Sequence, residues 1–246
     1  MNIALVIDLG NTNKKLALFS KGKLNAITIL PEFTLKAIRL YVKNHPGITH
    51  CIISSVIAYP QSIKKYLQTK FSFIELDEHT PLPLKNLYKT PATLGKDRLA
   101  AAVAAHLRFS KKAVLVVNAG SCITFDFINK KGEYLGGSIS PGIQMRFRAL
   151  NTFTGKLPLI SGKNRANLTG TTTRESILSG VFNGALAEIE GITNQYLREH
   201  RKLKVILSGG DLKYFDKRLK IKTFAVPNIV IEGLFKILEL NAGKNF

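Results

Sequence analysis

Two stretches of this chain share one pattern, and that repetition limits the fold more than any other feature. Leu5 to Leu18 reads LVIDLGNTNKKLAL, and Val114 to Phe127 reads VLVVNAGSCITFDF. Each is an apolar run that ends in a polar residue, a spacer, a glycine and a small amide or hydroxyl residue. An offset of 110 places Asn118 on Asp8, Gly120 on Gly10, Ser121 on Asn11, and Lys131-Gly132 on Lys21-Gly22. A repeated strand–turn–strand unit of this length cannot bury both of its faces alone, so the chain is expected to build two similar halves.

The surrounding pattern supports this. In the first half, strands are expected over Ile3–Ile7, Lys15–Phe19 and Leu24–Leu30, with Lys21-Gly22-Lys23 as a turn. A helix over Leu35–Asn44 stops near Pro46-Gly47, and a strand His50–Val56, a helix Gln61–Lys70 and a strand Phe73–Leu76 follow. The second half opens with strands Ala113–Val117, Ile123–Asn129 and Tyr134–Ile139. A long helix from Thr173 to His200 carries Ile177, Val181, Ala185, Ile189, Ile192 and Tyr196 at helical spacing. A strand Val205–Leu207 ends in Ser208-Gly209-Gly210-Asp211, and Asn228–Leu240 closes the chain as a helix. The expectation is an α/β protein of two lobes, 1–112 and 113–246, with a cleft between like faces.

Composition narrows the function classes. No apolar run approaches the roughly 18 residues of a membrane helix, and the start is too short for a signal-peptide core, so a cytoplasmic protein without a membrane partner is expected. Cys51 and Cys122 form no ligand spacing, and the five histidines show no HxxxH or HExxH pattern, which argues against structural zinc. The net charge of +20 raises the question of a nucleic-acid partner. Its lysines and arginines are scattered in short pieces without a tail or a zinc-finger or RNP1 pattern, so solvated surface charge is the preferred reading.

The repeated turn has its own chemistry. Asp8 ends an apolar strand, Gly10 leaves the backbone open to a ligand, Asn11 and Thr12 offer donors, and Lys15 a full charge. Such donors suit phosphate oxygens, and the carboxylate suits a hydrated magnesium ion. A single copy could equally be a plain hairpin; two copies on one cleft could grip a nucleotide's phosphates from both sides. No GxxxxGK[ST] or GxGxxG pattern is present.

In YKTPATLGKDRLAAAVAAH, Asp97 and Arg98 sit in the first turn of a helix over Leu99–His106. One reading is an ion pair or capping device. The other has Arg98 binding a substrate carboxylate and Asp97 accepting the proton of an attacking hydroxyl.

Taken together, DLGNTNKK, YKTPATLGKDRLAAA, GEYLGGSISPGIQMR, GTTTRESILSG and LSGGD resemble the type III pantothenate kinases, in order and over nearly the whole chain. The resemblance implies the duplicated ribonuclease-H-like fold of the actin, hexokinase and acetate kinase superfamily. It implies a homodimer that transfers the γ-phosphoryl group of ATP, with Mg2+, to pantothenate as the first step toward coenzyme A. Asp8, Gly10, Asn11, Thr12 and Lys15 match the first phosphate motif, with magnesium held by Asp8 through water. Asp97 matches the general base. Tyr88, Gly95, Lys96, Asp97 and Arg98 match the pantothenate pocket, with Thr173 supplied by the partner subunit. Gly120, Ser121 (a threonine in the family), Gly209 and Gly210 match the nucleotide side.

Where the family has an aspartate that helps bind an activating monovalent cation, K+ or NH4+, this chain has Asn118. Three outcomes are compatible with the amide: a weakened cation site, independence from the cation, or a poorly active relative. Retained catalysis is favoured because Asp8, Lys15, Asp97 and Arg98 are all present. Two alternatives stand beside the pantothenate kinase reading: a weakly active binding or regulatory protein, and a kinase of another small hydroxy acid.

Overall fold

The computed structural model describes residues 2–162 and 166–243. The chain divides into two compact units, one formed by residues 1–108 and 229–246 and the other by 109–228. The chain's last helix therefore belongs with its first strands, whereas a division at 112/113 by chain continuity places it in the second half.

In the first unit, β1 (Ile3–Leu9), β2 (Lys14–Ser20), β3 (Lys23–Leu30), β4 (Ile48–Ser55) and β5 (Ser72–Glu75) form one sheet in the order β3-β2-β1-β4-β5. β1 runs antiparallel to β2 and parallel to β4. A strand buried on both faces reads as a nearly continuous apolar run, and β1 (IALVIDL) is one. Its alternate residues part to opposite faces. Leu5, Ile7 and Leu9 pack with Ile38 and Tyr41 of α1 (Leu35–Asn44) and with Ile63 and Leu67 of α2 (Gln61–Lys70). α1 starts where the Thr34 hydroxyl accepts the Ala37 N–H at 3.2 Å.

The other face of the sheet carries Ala4, Val6 and Asp8. It is covered by α7 (Ile229–Asn241), which packs on β1 and β4 and on α3 (Lys96–Arg108). The fit is close because small residues face each other. A Cβ on Gly233 would fall 1.8 Å from the carbonyl oxygen of Ala100, so the α7 backbone lies directly on that of α3. Phe235 of α7 stacks on Phe19 of β2 with ring centroids 4.0 Å apart. A two-residue strand, β6 (Lys85–Asn86), and one 3-10 turn (Pro91–Thr93) lead into α3.

In the second unit, β7 (Val114–Ala119), β8 (Cys122–Ile128), β9 (Glu133–Pro141), β10 (Lys204–Ser208) and β11 (Phe224–Ala225) are neighbours in the order β11-β10-β7-β8-β9. β7 runs antiparallel to β8 and parallel to β10, as β1 does to β2 and β4. The inner face, with Leu115, Val117, Ile123, Phe125 and Leu207, packs on α4 (Ile143–Thr152), α5 (Thr173–Glu199) and α6 (Leu212–Phe215). α5 begins at a T-x-x-E box in which Thr172 accepts the Glu175 N–H at 3.2 Å. α4 had no distinct sequence signal, since only Ile143 and Phe147 of its ten residues are buried.

The duplication is visible in the turns as well. Gly22 and Gly132 both take left-handed backbone, at φ 74° and 76°, so the second hairpin of each unit turns on a glycine at the same place. Among the described residues, no helix is long and apolar enough to cross a membrane.

Candidate functional site

The first unit places Asp8 near the end of β1, directly opposite Lys15 of β2 and directly beside Ser54 of β4. Register fixes all three on one face of the sheet, where directly opposed residues bring their Cβ atoms to about 5 Å. Asp8 is only 9 % exposed, and burial raises its pKa from 3.8 to about 6. Lys15 pulls that value down, and the carboxylate of Asp97 pushes it up. The structure therefore brings together Asp8, Lys15 and Asp97, three residues singled out from separate parts of the sequence.

Gly10, Asn11 and Thr12 form the turn beyond Asp8, closed by a 3.0 Å hydrogen bond from the Gly10 N–H to the Asn13 carbonyl. A Cβ at Gly10 would meet nothing closer than 3.4 Å, so the turn itself does not require glycine there. Gly95 is different. A Cβ on it would lie 2.7 Å from Asp97 Oδ1, so the glycine makes room for that carboxylate to fold back at the start of α3. Arg98, 5 % exposed, has its guanidinium carbon 5.9 Å from the centroid of the Tyr88 ring. Lys96 forms an ion pair with Glu78 at 3.3 Å.

The second unit repeats the row with its charges removed. Asn118 of β7 stands opposite Thr124 of β8 and beside Ser208 of β10. Lys15–Asp8–Ser54 thus becomes Thr124–Asn118–Ser208: the carboxylate and its lysine have both become neutral, and the serine is kept. Two residues, Gly120 and Ser121, separate β7 from β8 where four separate β1 from β2.

Three backbone segments meet at that turn. A Cβ on Gly142 would fall 2.0 Å from the Gly120 carbonyl oxygen, and the Gly142 N–H donates to the Ser121 carbonyl at 3.2 Å. Gly209, at φ 99°, presses on Ala119, and the Asp211 N–H donates to the Ala119 carbonyl at 3.0 Å. Glu188 of α5 accepts hydrogen bonds from Ser140 and Arg146, and Arg146 also donates to the Pro141 carbonyl at 2.9 Å. These contacts hold the strand end that abuts the Gly120–Ser121 turn. Gly120 and Gly210 themselves have open space where a Cβ would stand, the nearest atom being 3.9 Å from the first. Thr173 is exposed at the first position of α5.

Ser54, Glu188 and Asp211, whose carboxyl is raised in pKa by burial, were not identified as site residues from sequence. Ser54, next to last in β4, and Ser208, last in β10, are placed by the parallel register of those strands on β1 and β7, which no local pattern gives.

A model of the family described as type III pantothenate kinase matches residues 4–195. The chain belongs to the type III pantothenate kinase family. It is 43 % identical over 238 residues to the type III pantothenate kinase of Phocaeicola vulgatus, covering 96 % of this chain and 98 % of that protein. Among solved structures, a conserved Campylobacter jejuni protein assigned to the Baf family of transcriptional activators superposes with a TM-score of 0.62 at 22 % identity, covering 97 % and 98 % of the two chains. A glucokinase from an Antarctic psychrotroph superposes with a TM-score of 0.55 at 13 % identity, covering 98 % and 100 %. These two similarities concern the fold, and they agree with the duplicated α/β architecture of the actin-like ATPases and sugar kinases expected from the sequence.

Proposed function

We propose that this chain phosphorylates pantothenate from ATP, giving 4'-phosphopantothenate in the first step of coenzyme A biosynthesis, and works in the cytoplasm. The observation that carries the reading is the meeting of Asp8, Lys15 and Asp97 at one end of the first unit's sheet, in a member of this family. Asp97 takes the proton of the primary hydroxyl as its oxygen forms the new bond to the γ-phosphorus. The bond from that phosphorus to the β,γ-bridging oxygen breaks, and ADP leaves. Arg98, braced against Tyr88, receives the pantothenate carboxylate.

The residues suit a magnesium ion. Asp8 is a nearly buried carboxylate whose burial outweighs the help of Lys15, a situation that an added cation relieves. No group of three or more His, Cys, Asp or Glu gathers among the described residues, so most of the ion's ligands come from water and phosphate. Bound there, the ion neutralises phosphate charge. Lys15 and the side chains of Asn11 and Thr12 are assigned to phosphate oxygens; Gly120, Ser121, Gly209 and Gly210 are assigned to the nucleotide side, with open space beside the backbone at Gly120 and Gly210. We assign Thr173 to the pocket of a partner subunit in a homodimer. Asn118 keeps an oxygen ligand for a monovalent cation but not a charge.

The test is ADP release with pantothenate, with and without potassium or ammonium. Asp97→Asn is expected to lower turnover by about 10²–10⁴-fold. Turnover near that of the parent protein rules out Asp97 as the base.

A further inference from the structure

Ser54 is 1 % exposed, and its hydroxyl finds no hydrogen-bond partner among the described residues. A buried hydroxyl left unmade is costly, by about 1–3 kcal/mol, and such groups in folded proteins call for an explanation. Its position supplies one. β4 pairs with β1 so that Ser54 lies in register beside Asp8, and the alternation of β4 puts Cys51 and Ile53 in the core under α1 and α2 while Ser54 shares the face of Asp8. The second unit keeps a serine, Ser208, at the corresponding place beside Asn118. The duplication has let the acid and the lysine change while the serine stayed.

We infer that Ser54 is a positioning residue for Asp8: when Asp8 holds a divalent cation, the Ser54 hydroxyl donates a hydrogen bond to its carboxylate and fixes its orientation. A rotation about the Cα–Cβ bond of Ser54 is all the motion required, because directly neighbouring strands place the two side chains within reach. A hydroxyl waiting beside a carboxylate is unsatisfied in the free protein and satisfied in the loaded one. That contrast separates a positioning role from a packing role.

The inference rests on the reading of Asp8 as the cation-holding residue, and the experiment distinguishes the two. Isothermal titration of the full chain with ADP at saturating Mg2+, and with ADP in EDTA, gives the magnesium-dependent part of the affinity. Thermal melts without ligand give the stability. Ser54→Ala is expected to melt at or above the parent temperature, since it removes an unsatisfied buried hydroxyl, and to weaken magnesium-dependent ADP binding by about ten-fold or more. Ser54→Thr, where it folds, is expected to bind within about two-fold of the parent, the hydroxyl being all that the role requires. Unchanged magnesium-dependent binding in Ser54→Ala, or binding as weak in a folded Ser54→Thr, overturns the role of Ser54. A marked loss of melting temperature in Ser54→Ala also overturns it, because the hydroxyl would then be satisfied in the free protein. If the parent protein itself shows no magnesium dependence, the reading of Asp8 fails, and the inference with it.

Discussion

Asp8→Asn should make the ligand-free protein more stable while disabling it. The carboxylate is raised from 3.8 to about 6, mainly by burial. Two pK units correspond to about 3 kcal/mol at 1.36 kcal/mol each. The sign follows from proton counting. Between pH about 4 and about 6 the folded protein holds a proton on Asp8 that the unfolded chain has released, so stability falls as pH rises through that window. Above pH about 6 the full penalty is present; below pH about 4 it has vanished. An amide at this position keeps the shape and removes the ionisation. At pH 8 the variant is expected to gain up to about 3 kcal/mol, or roughly 6–12 °C in melting temperature at about 2–4 °C per kcal/mol for a chain of this size. At pH 4 the two proteins should melt together. The assay is a series of thermal melts from pH 4 to pH 8 in the absence of nucleotide and magnesium, with pantothenate-dependent ADP release measured on the same preparations. A variant less stable than the parent at pH 8, or a difference that does not change with pH, would refute the claim that Asp8 is held in an uncompensated state.

The glycines give a paired test. Gly209→Ala should destabilise the protein by several kcal/mol, since its φ of 99° and its 2.0 Å approach to the Ala119 carbonyl leave no room for a Cβ, whereas Gly120→Ala should leave the melting temperature within about 2 °C and weaken ADP binding in titration. Asn118→Asp is expected to lower stability at pH 8 relative to pH 5, because the new carboxylate faces Thr124 where Asp8 faces Lys15, and potassium should restore part of the loss. A fragment of residues 1–112 should fail to give a cooperative melt, while the same fragment supplied with a 226–246 peptide should gain one, because α7 covers β1, β4 and α3.

Much of this was legible in the sequence. The repeated hairpins are strong signals because a doubly buried strand and a glycine turn each leave a local mark, and DLGNT and NAGSC carry both. The extent of α5 followed from the apolar stripe along the helix, expected over Thr173–His200 and found over Thr173–Glu199. Exchange of lysine for threonine opposite Asn118 was hidden, because in the pairing register the second connection is one residue shorter than the first, and a constant offset of 110 aligns Lys15 with Phe125 rather than Thr124. Ser54 was hidden for another reason. In THCIISSV it is one hydroxyl among several, and only the parallel register of β4 on β1 places it beside Asp8. The attachment of α7 was equally out of reach: Gly233 against Ala100 is a contact between distant parts of the chain, and neither residue has a local pattern that names the other.

That attachment has a consequence for synthesis. On the ribosome, Asp8, Lys15 and Asp97 emerge early, yet the sheet that carries the first two, and the helix α3 that carries the third, lack the cover of α7 until residues 229–241 arrive. The intervening stretch, 109–228, can close on itself in the meantime. The older-emerging half is thus the later one to finish, and a nascent chain arrested before Ile229 would carry its proposed catalytic carboxylates on an incomplete scaffold.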